Sequence, residues 1–254
     1  MNKVKKTALL AMLAVLSSHS AASMADELIQ NGGFELAGVD AYTVPFWSAA
    51  EAGILGSVLV EQDTFTDGSG RNTVGAASGS YYGLLDSAAP SQQAFYQSFT
   101  TAAASAATLT FQMFVNNQSS NGTQINATGL DYTTAGNFDA NQHVRVDVLH
   151  AGADVFSTSS ADIAQSLYLG GANGNSMIGG DMANPYVSYT FDLSSLLASG
   201  GAYTLRFASV TNEDQLQLGI DNVSLNVMPV PEPESYAMLL AGLGLMGFVA
   251  RRRR

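Results

Sequence analysis

Apolar and polar residues alternate with a period of two through most of the chain. In Thr108–Val115, Leu109, Phe111, Met113 and Val115 share one face. In His143–His150, Val144, Val146 and Val148 oppose Arg145 and Asp147. Both are the spacing of half-buried strands. Gln93–Thr101 sets Phe95, Gln97 and Phe99 against Tyr96 and Ser98. Pro185–Leu193 sets Val187, Tyr189, Phe191 and Leu193 against Tyr186, Ser188, Thr190 and Asp192. Ala202–Val210 alternates through Tyr203, Leu205 and Phe207. Leu218–Val227 presents Ile220, Val223, Leu225 and Val227, and its change of phase at Asp221–Asn222 predicts a bulge. Shorter apolar segments stand at Leu28, ahead of the turn Asn31-Gly32-Gly33, and at Ile54–Glu61 and Tyr81–Leu85. Ala102–Ala107 has helix propensity but is too short for an isolated helix. Asp162–Leu169 and Ser194–Ser199 read as short helices or turns. Asp63–Gly79, Asn116–Asn126 and Gly170–Gly180 are polar loops. Short strands separated by Gly, Asn and Asp turns predict an all-β fold, a single antiparallel β-sandwich.

The two ends break this pattern. Lys3, Lys5 and Lys6 precede an apolar stretch, Thr7–Leu16, and small residues follow at Ser23 and Ala25. This is the layout of a secretory signal peptide over residues 1–25, with Ala22 and Ala21 as other cleavage positions. At the other end Val230, Pro231, Glu232, Pro233 and Glu234 precede an uncharged run, Tyr236–Ala250, and then Arg251, Arg252, Arg253 and Arg254. Such a run is shorter than the roughly 20 residues of a comfortable membrane span. Basic residues at its end can extend its reach to the headgroups, so a short C-terminal transmembrane helix over 236–250, basic end inward, is expected. Three segments result: residues 1–25, a domain at 26–228, and a tail at 229–254.

Composition narrows the partners. There is no cysteine, so neither a disulfide framework nor a thiolate metal site is available despite export. Between the two ends the basic residues are Arg71, Arg145 and Arg206, against nineteen carboxylates. A body of that charge lacks the surface to neutralise a nucleic-acid backbone, and it repels acidic sugars unless cations intervene.

The tail closely resembles the PEP-CTERM sorting signal of Gram-negative bacteria. Pro231, Glu232 and Pro233 match the Pro-Glu-Pro triplet, Tyr236–Ala250 the hydrophobic segment, and Arg251–Arg254 the basic end. The resemblance implies handling by signal peptidase and then by an exosortase, a transient membrane anchor, and delivery to the cell surface or extracellular matrix. It also implies company with exopolysaccharide. In the body, Asn31–Glu35 (N-G-G-F-E) and Gly219–Leu225 (G-I-D-N-V-S-L) resemble the two ends of the jelly-roll modules of galactose-binding-like and carbohydrate-binding families. That likeness implies a structural Ca²⁺ held by Glu35 and Asp221, with backbone carbonyls near Asn31 and in Asp63–Gly70. The alternative reading of the two carboxylates is that they cap turns through backbone N–H groups.

A glycan site on such a module pairs an aromatic platform with amides and carboxylates. Trp47 and Tyr82 are the leading aromatic candidates, with Tyr42, Tyr81 and Tyr132 beside them; Asn116, Asn117 and Gln118 are the hydrogen-bonding candidates. Trp47 is read first as a core or core-edge residue. No nucleophile setting surrounds the serines, and His143 and His150 project to opposite faces of one strand. A non-enzymatic role is therefore expected: exopolysaccharide association, or a structural or adhesive matrix component without a glycan pocket. A jelly-roll enzyme acting on glycans is the remaining alternative.

Overall fold

The structure is a computed structural model that describes residues 25–36, 43–65, 72–133, 140–171, 183–230 and 233–252. The signal-peptide residues 1–24, Tyr42, the 66–70 part of the loop proposed for calcium, Pro231, Glu232, Arg253 and Arg254 lie outside them. In chain order the elements are β1 (Asp26–Glu27), β2 (Ser48–Gly53), β3 (Gly56–Gln62), β4 (Tyr81–Ser87), β5 (Ser91–Thr101), β6 (Ala104–Asn117), β7 (Gln142–His150), β8 (Ile163–Gly170), β9 (Val187–Asp192), α1 (Ser194–Leu197), β10 (Gly201–Thr211), β11 (Leu216–Pro229) and α2 (Pro233–Arg251). Asp26–Pro229 forms one compact unit.

Two sheets make up that unit. One has the order β3-β4-β11-β6-β9, with β1 added against β11; the other has the order β2-β5-β10-β7-β8. All the pairings are antiparallel. Each strand of the first order is a chain neighbour of the strand at the same place in the second: β3 with β2, β4 with β5, β11 with β10, β6 with β7, β9 with β8. The chain thus crosses between sheets again and again, which is the winding of a jelly roll.

The alternating residues meet in the middle. Leu109, Phe111, Met113 and Val115 from β6, Val144, Val146 and Val148 from β7, Leu205 and Phe207 from β10, and Leu218, Ile220 and Leu225 from β11 form the main core. Phe111 meets Phe207 edge-on with ring centroids 5.1 Å apart. Trp47 belongs to this core. It is 7% exposed, stacks on Phe95 at 5.0 Å, lies 5.2 Å from Phe34, and donates from Nε1 to Asn31 O at 3.1 Å.

Several sequence expectations change. Asp162–Leu169 contributes a strand, β8, rather than a helix or turn. Two register shifts in its pairing with β7 break the alternation that would have marked it. Asn116 and Asn117 end β6 instead of opening a loop. The bulge expected near Asp221 is present between Asp221 and Ser224. The tail differs most. Helix α2 has 19 residues, about 28 Å at 1.5 Å per residue, and its uncharged run covers only about 22 Å of a bilayer core of about 30 Å. Among the described residues no helix is long and apolar enough to cross a membrane. The expected transmembrane helix over 236–250 is corrected accordingly, and the transient membrane anchor falls with it.

Removing the indole empties the centre of an aromatic stack. Trp47→Ala should cost about 3–5 kcal/mol of stability, read as a lower midpoint in denaturant unfolding of the full chain.

Candidate functional site

Each sheet also has an outer face, and on the second sheet that face is built around buried charge. Alternation turns Arg206 of β10 and Arg145 and Asp147 of β7 outward, and the register sets Arg206 directly opposite Asp147. Arg206 is fully buried. Its Nη2 donates to Asp147 Oδ2 at 2.5 Å, while Arg145 donates from Nε and Nη2 to the same carboxylate at 2.7 and 2.9 Å. Burial alone would push the Asp147 carboxyl up, but the Arg145 hydrogen bonds and the Arg206 charge hold it below its usual range.

The other end of Arg206 holds a loop. Its Nη1 donates to Val155 O at 2.6 Å and to Ser157 O at 2.7 Å. Segment 153–162 is thereby drawn across the sheet, and Val155 and Phe156 pack with Ala94, Ala208 and Val210. A second segment, 126–133, comes in beside it. Asn141 Nδ2 donates to Gly129 O at 2.8 Å and Asp131 O at 3.0 Å, and Leu130 and Tyr132 join the same apolar cluster. The two segments touch at Gly129, whose φ is +68° and where a Cβ would stand 2.2 Å from Thr158 Oγ1. Only glycine suits that approach.

Between these segments and the sheet lies a cleft of about 480 Å³, lined by Gln92, Leu130, Asp131, Tyr132, Asp154, Phe156 and Asp162, with Thr128, Thr133 and Ser157 at its edge. Each carboxylate is positioned by its own turn. Asp131 Oδ1 accepts from Thr133 N at 2.8 Å and Thr133 Oγ1 at 2.6 Å, Asp154 Oδ1 from Phe156 N at 2.8 Å, and Asp162 Oδ2 from Ser157 Oγ at 2.6 Å. In each pair the second oxygen accepts none of these turn bonds. The lining offers aromatic surface, an amide and oriented acceptors, and no basic side chain.

The residues named from sequence lie elsewhere. Trp47 is in the core, with its ring against Phe34 and Phe95. Tyr82 is fully buried on the outer face of the first sheet, and its hydroxyl shares a 2.6 Å hydrogen bond with Thr73 Oγ1. Burial pushes its pKa up to about 12. Asn116 donates to Gln217 Oε1 at 2.9 Å and accepts from Asn184 N at 3.1 Å. Asn117 accepts from Ser119 N at 3.0 Å and Gln142 Nε2 at 3.1 Å. Both amides are therefore buried and engaged with other groups of the protein. Of the aromatic candidates among the described residues, Tyr132 alone lines the cleft. Asp131, Asp154, Phe156 and Asp162 were missed; the Asp-x-Thr and Asp-x-Phe turns that position two of them are the signal the sequence did carry.

Glu35 and Asp221, in contrast, do come together. Asp221 Oδ2 accepts from Ala77 N at 2.8 Å and Ser78 N at 3.0 Å, and Oδ1 from Asn222 N at 2.6 Å. Glu35 Oε1 accepts from Ser80 N at 2.8 Å and Tyr81 N at 3.0 Å. Burial raises the Asp221 pKa, the backbone N–H groups oppose that, and the Glu35 charge adds to it. Asn31, Phe34 and Asn222 around the pair have φ of +52°, +58° and +53°. Gly32 lets the turn press on β11, since a Cβ there would stand 1.7 Å from Val223 O. Five N–H donors thus point at the two carboxylates, and among the described residues no group of three or more His, Asp or Glu converges as a cation site. A hard cation asks for six to eight oxygens. Residues 66–70 of the loop expected to add carbonyls lie outside the described residues; what the described residues show is the pair anchoring segment 77–81, and calcium enters no step below.

Comparison with known proteins adds the tail. Residues 229–254 match the PEP-CTERM protein-sorting motif, and this motif makes the chain an exported substrate of exosortase-dependent sorting. No curated protein matches the chain. Among solved structures, the enzymatically active domain of tailspike protein 4 from bacteriophage CBA120 is 10% identical with a TM-score of 0.43, over 79% of this chain and 21% of that one. TmCBM61, solved in complex with β-1,4-galactotriose, is 12% identical with a TM-score of 0.44, over 79% of this chain and 97% of that one. The K1 cleaved adhesin domain of Lys-gingipain from Porphyromonas gingivalis W83 is 11% identical with a TM-score of 0.41, over 74% of this chain and 92% of that one. The present chain thus spans about a fifth of the tailspike chain it matches. Likenesses this distant bring no activity or ligand to it.

Two outcomes test the charged face. Asp147→Asn leaves two buried guanidinium groups without their counter-ion and should cost about 3–5 kcal/mol, measured by chemical denaturation at pH 7. His143, fully buried on the same face, has its pKa drawn by burial from 6.5 to about 4. The unfolded chain therefore binds the extra proton first. Stability from the neutral imidazole is complete above about pH 6.5 and shrinks as pH falls, by roughly 3 kcal/mol at pH 4. His143→Leu should flatten that part of a stability-against-pH profile.

Proposed function

We propose that the protein associates with a neutral polysaccharide of the extracellular matrix, bound along the cleft on the second sheet, and does not act on it chemically. The observation that carries this reading is the lining of the cleft. Tyr132 and Phe156 supply apolar surface of the kind that covers the C–H face of a sugar, at little entropic cost because both side chains are partly packed. The oxygens of Asp131, Asp154 and Asp162 not taken by these turn bonds accept hydrogen bonds, and sugar hydroxyls donate them. Three carboxylates in a lining that carries no basic side chain repel uronates and other acidic sugars. The turn-held carboxylates suit recognition: each is fixed by a backbone or hydroxyl donor, in the way that oriented acceptors serve specificity.

Delivery agrees with this reading. The tail directs exosortase-dependent sorting, and the basic, apolar and small-residue order of residues 1–25 makes signal peptidase the partner before it. The resemblance of the tail to sorting signals of exopolysaccharide-producing bacteria supplies the polymer.

Affinity electrophoresis in gels containing neutral or uronic-acid polysaccharides tests the proposal. The native protein should be retarded by a neutral polymer and not by a uronate. Loss of a charge-assisted hydrogen bond costs about 1.5–3 kcal/mol, so Asp154→Asn should weaken binding at least tenfold, as should Tyr132→Ala, each with its unfolding midpoint checked. Migration unaffected by every neutral polysaccharide, or retardation that survives both substitutions, would overturn it.

A further inference from the structure

Strand β11 stays in its ladder to its last residue. Met228 stands opposite Ala106 and Pro229 opposite Ala104, and Ser105 Oγ donates to Met228 O at 3.1 Å. The Pro-Glu-Pro triplet starts at Pro231, so Val230 alone lies between the sheet and the triplet. An enzyme that reads a peptide takes it as an extended strand and pairs with its main-chain groups. One residue reaches at most about 3.5 Å, less than the roughly 4.8 Å between neighbouring strands. A cleft cannot close around the residues just ahead of the triplet while β6 occupies the same backbone.

The end of this ladder is built to let go, and the part behind it is not. Its register shifts between Met228 and Pro229, and Pro229 has no N–H to contribute. Met228 is 44% and Val230 47% exposed. Behind them, β1 seals the strand by pairing Asp26 with Val227 and Glu27 with Asn226. The Glu27 carboxylate accepts from Leu225 N at 2.8 Å, Ser224 Oγ at 2.5 Å and Asn226 Nδ2 at 3.3 Å.

We infer that sorting proceeds from a state in which Met228–Val230 has left β6, that this released segment is the strand the exosortase takes, and that peeling stops at Val227. The inference rests on the sorting role of the tail and not on the cleft. The rest of β11 stays in place, so the sandwich keeps its fold throughout.

The absence of cysteine makes the test clean. The full chain carrying Ala106→Cys and Met228→Cys is expressed in an exosortase-bearing Gram-negative host. Processing is followed by pulse-chase and intact mass, oxidised with diamide or reduced, with the native chain alongside to report sorting itself. The oxidised pair should be processed at least tenfold more slowly than the native chain, and reduction should restore the rate. Thr108→Cys with Asn226→Cys, a cross-link within the sealed part, should leave processing at the native rate. A six-residue Gly/Ser insert between Val230 and Pro231 should rescue the oxidised Ala106–Met228 cross-link, because it supplies an extended strand without unpairing. Native-rate processing of the oxidised Ala106–Met228 cross-link, or failure of the insert to rescue it, would overturn the inference.

Discussion

The last strand of the sandwich is also the middle one of its sheet. Strand β11 lies between β4 and β6 and, past its bulge, between β1 and β6. Gln217 has Asp86 on one side and Asn116 on the other. Leu216, Leu218, Ile220, Val223, Leu225 and Val227 of the main core wait for that strand. Contacts so far apart in sequence must repay loop closure before they stabilise anything. The first sheet is therefore unclosed until nearly all of the body has been made. The devices near β11 are fastenings: the Asp221 and Glu35 carboxylates on segment 77–81, the Gly32 turn against Val223, and Glu27 along Ser224–Asn226.

The second sheet is organised by a scarcity. Of the three arginines in the body, two are spent on Asp147. Burying that group is costly, and an apolar replacement of equal shape could be as stable. What an apolar group could not do is hold Val155 O and Ser157 O at 2.6 and 2.7 Å. Arg206 converts sheet register into loop position, and the loop forms a wall of the cleft. Using cations inside leaves the outside acidic, which disfavours an acidic partner.

Sequence reading recovered the strands whose two faces differ in polarity, apolar toward the core and polar on the other side. β6, β7, β10 and β11 alternate because each has a core side, and the bulge at Asp221 showed as a broken phase. The two edge strands of the second sheet were illegible for opposite reasons. β2 is Ser-Ala-Ala-Glu-Ala-Gly and buries little, so it carries no pattern; β8 has a pattern that its two register shifts scramble. The site was harder. Trp47 and Asn116 have the chemistry of sugar recognition, but sequence cannot show that Phe95 and Gln217 already occupy them. Asp131, Asp154 and Asp162 lie far apart in the chain and become neighbours only because Arg206 and Asn141 draw two segments over one sheet. Glu35 and Asp221 were paired by the resemblance of their motifs, and the structure gives that pair a loop to hold.

Placing the closing strand directly before the sorting motif ties two events together. The triplet follows the sheet by one residue, so no enzyme can address it without also meeting the end of β11 and its partner β6. In an unfolded body that end is free, and the motif can be read at once; in a folded body it must first be peeled. Peeling is cheap at Met228–Pro229, where the register shifts and a proline replaces a donor, and it becomes costly from Val227 inward, where β1 pairs with the strand and the Glu27 carboxylate binds Ser224–Asn226. The boundary between the part that can leave and the part that cannot thus falls at the last residue that buries itself in the core, Val227 at 2% exposure. Nothing the core depends on lies beyond it, so the sandwich can give up its tail without giving up its fold.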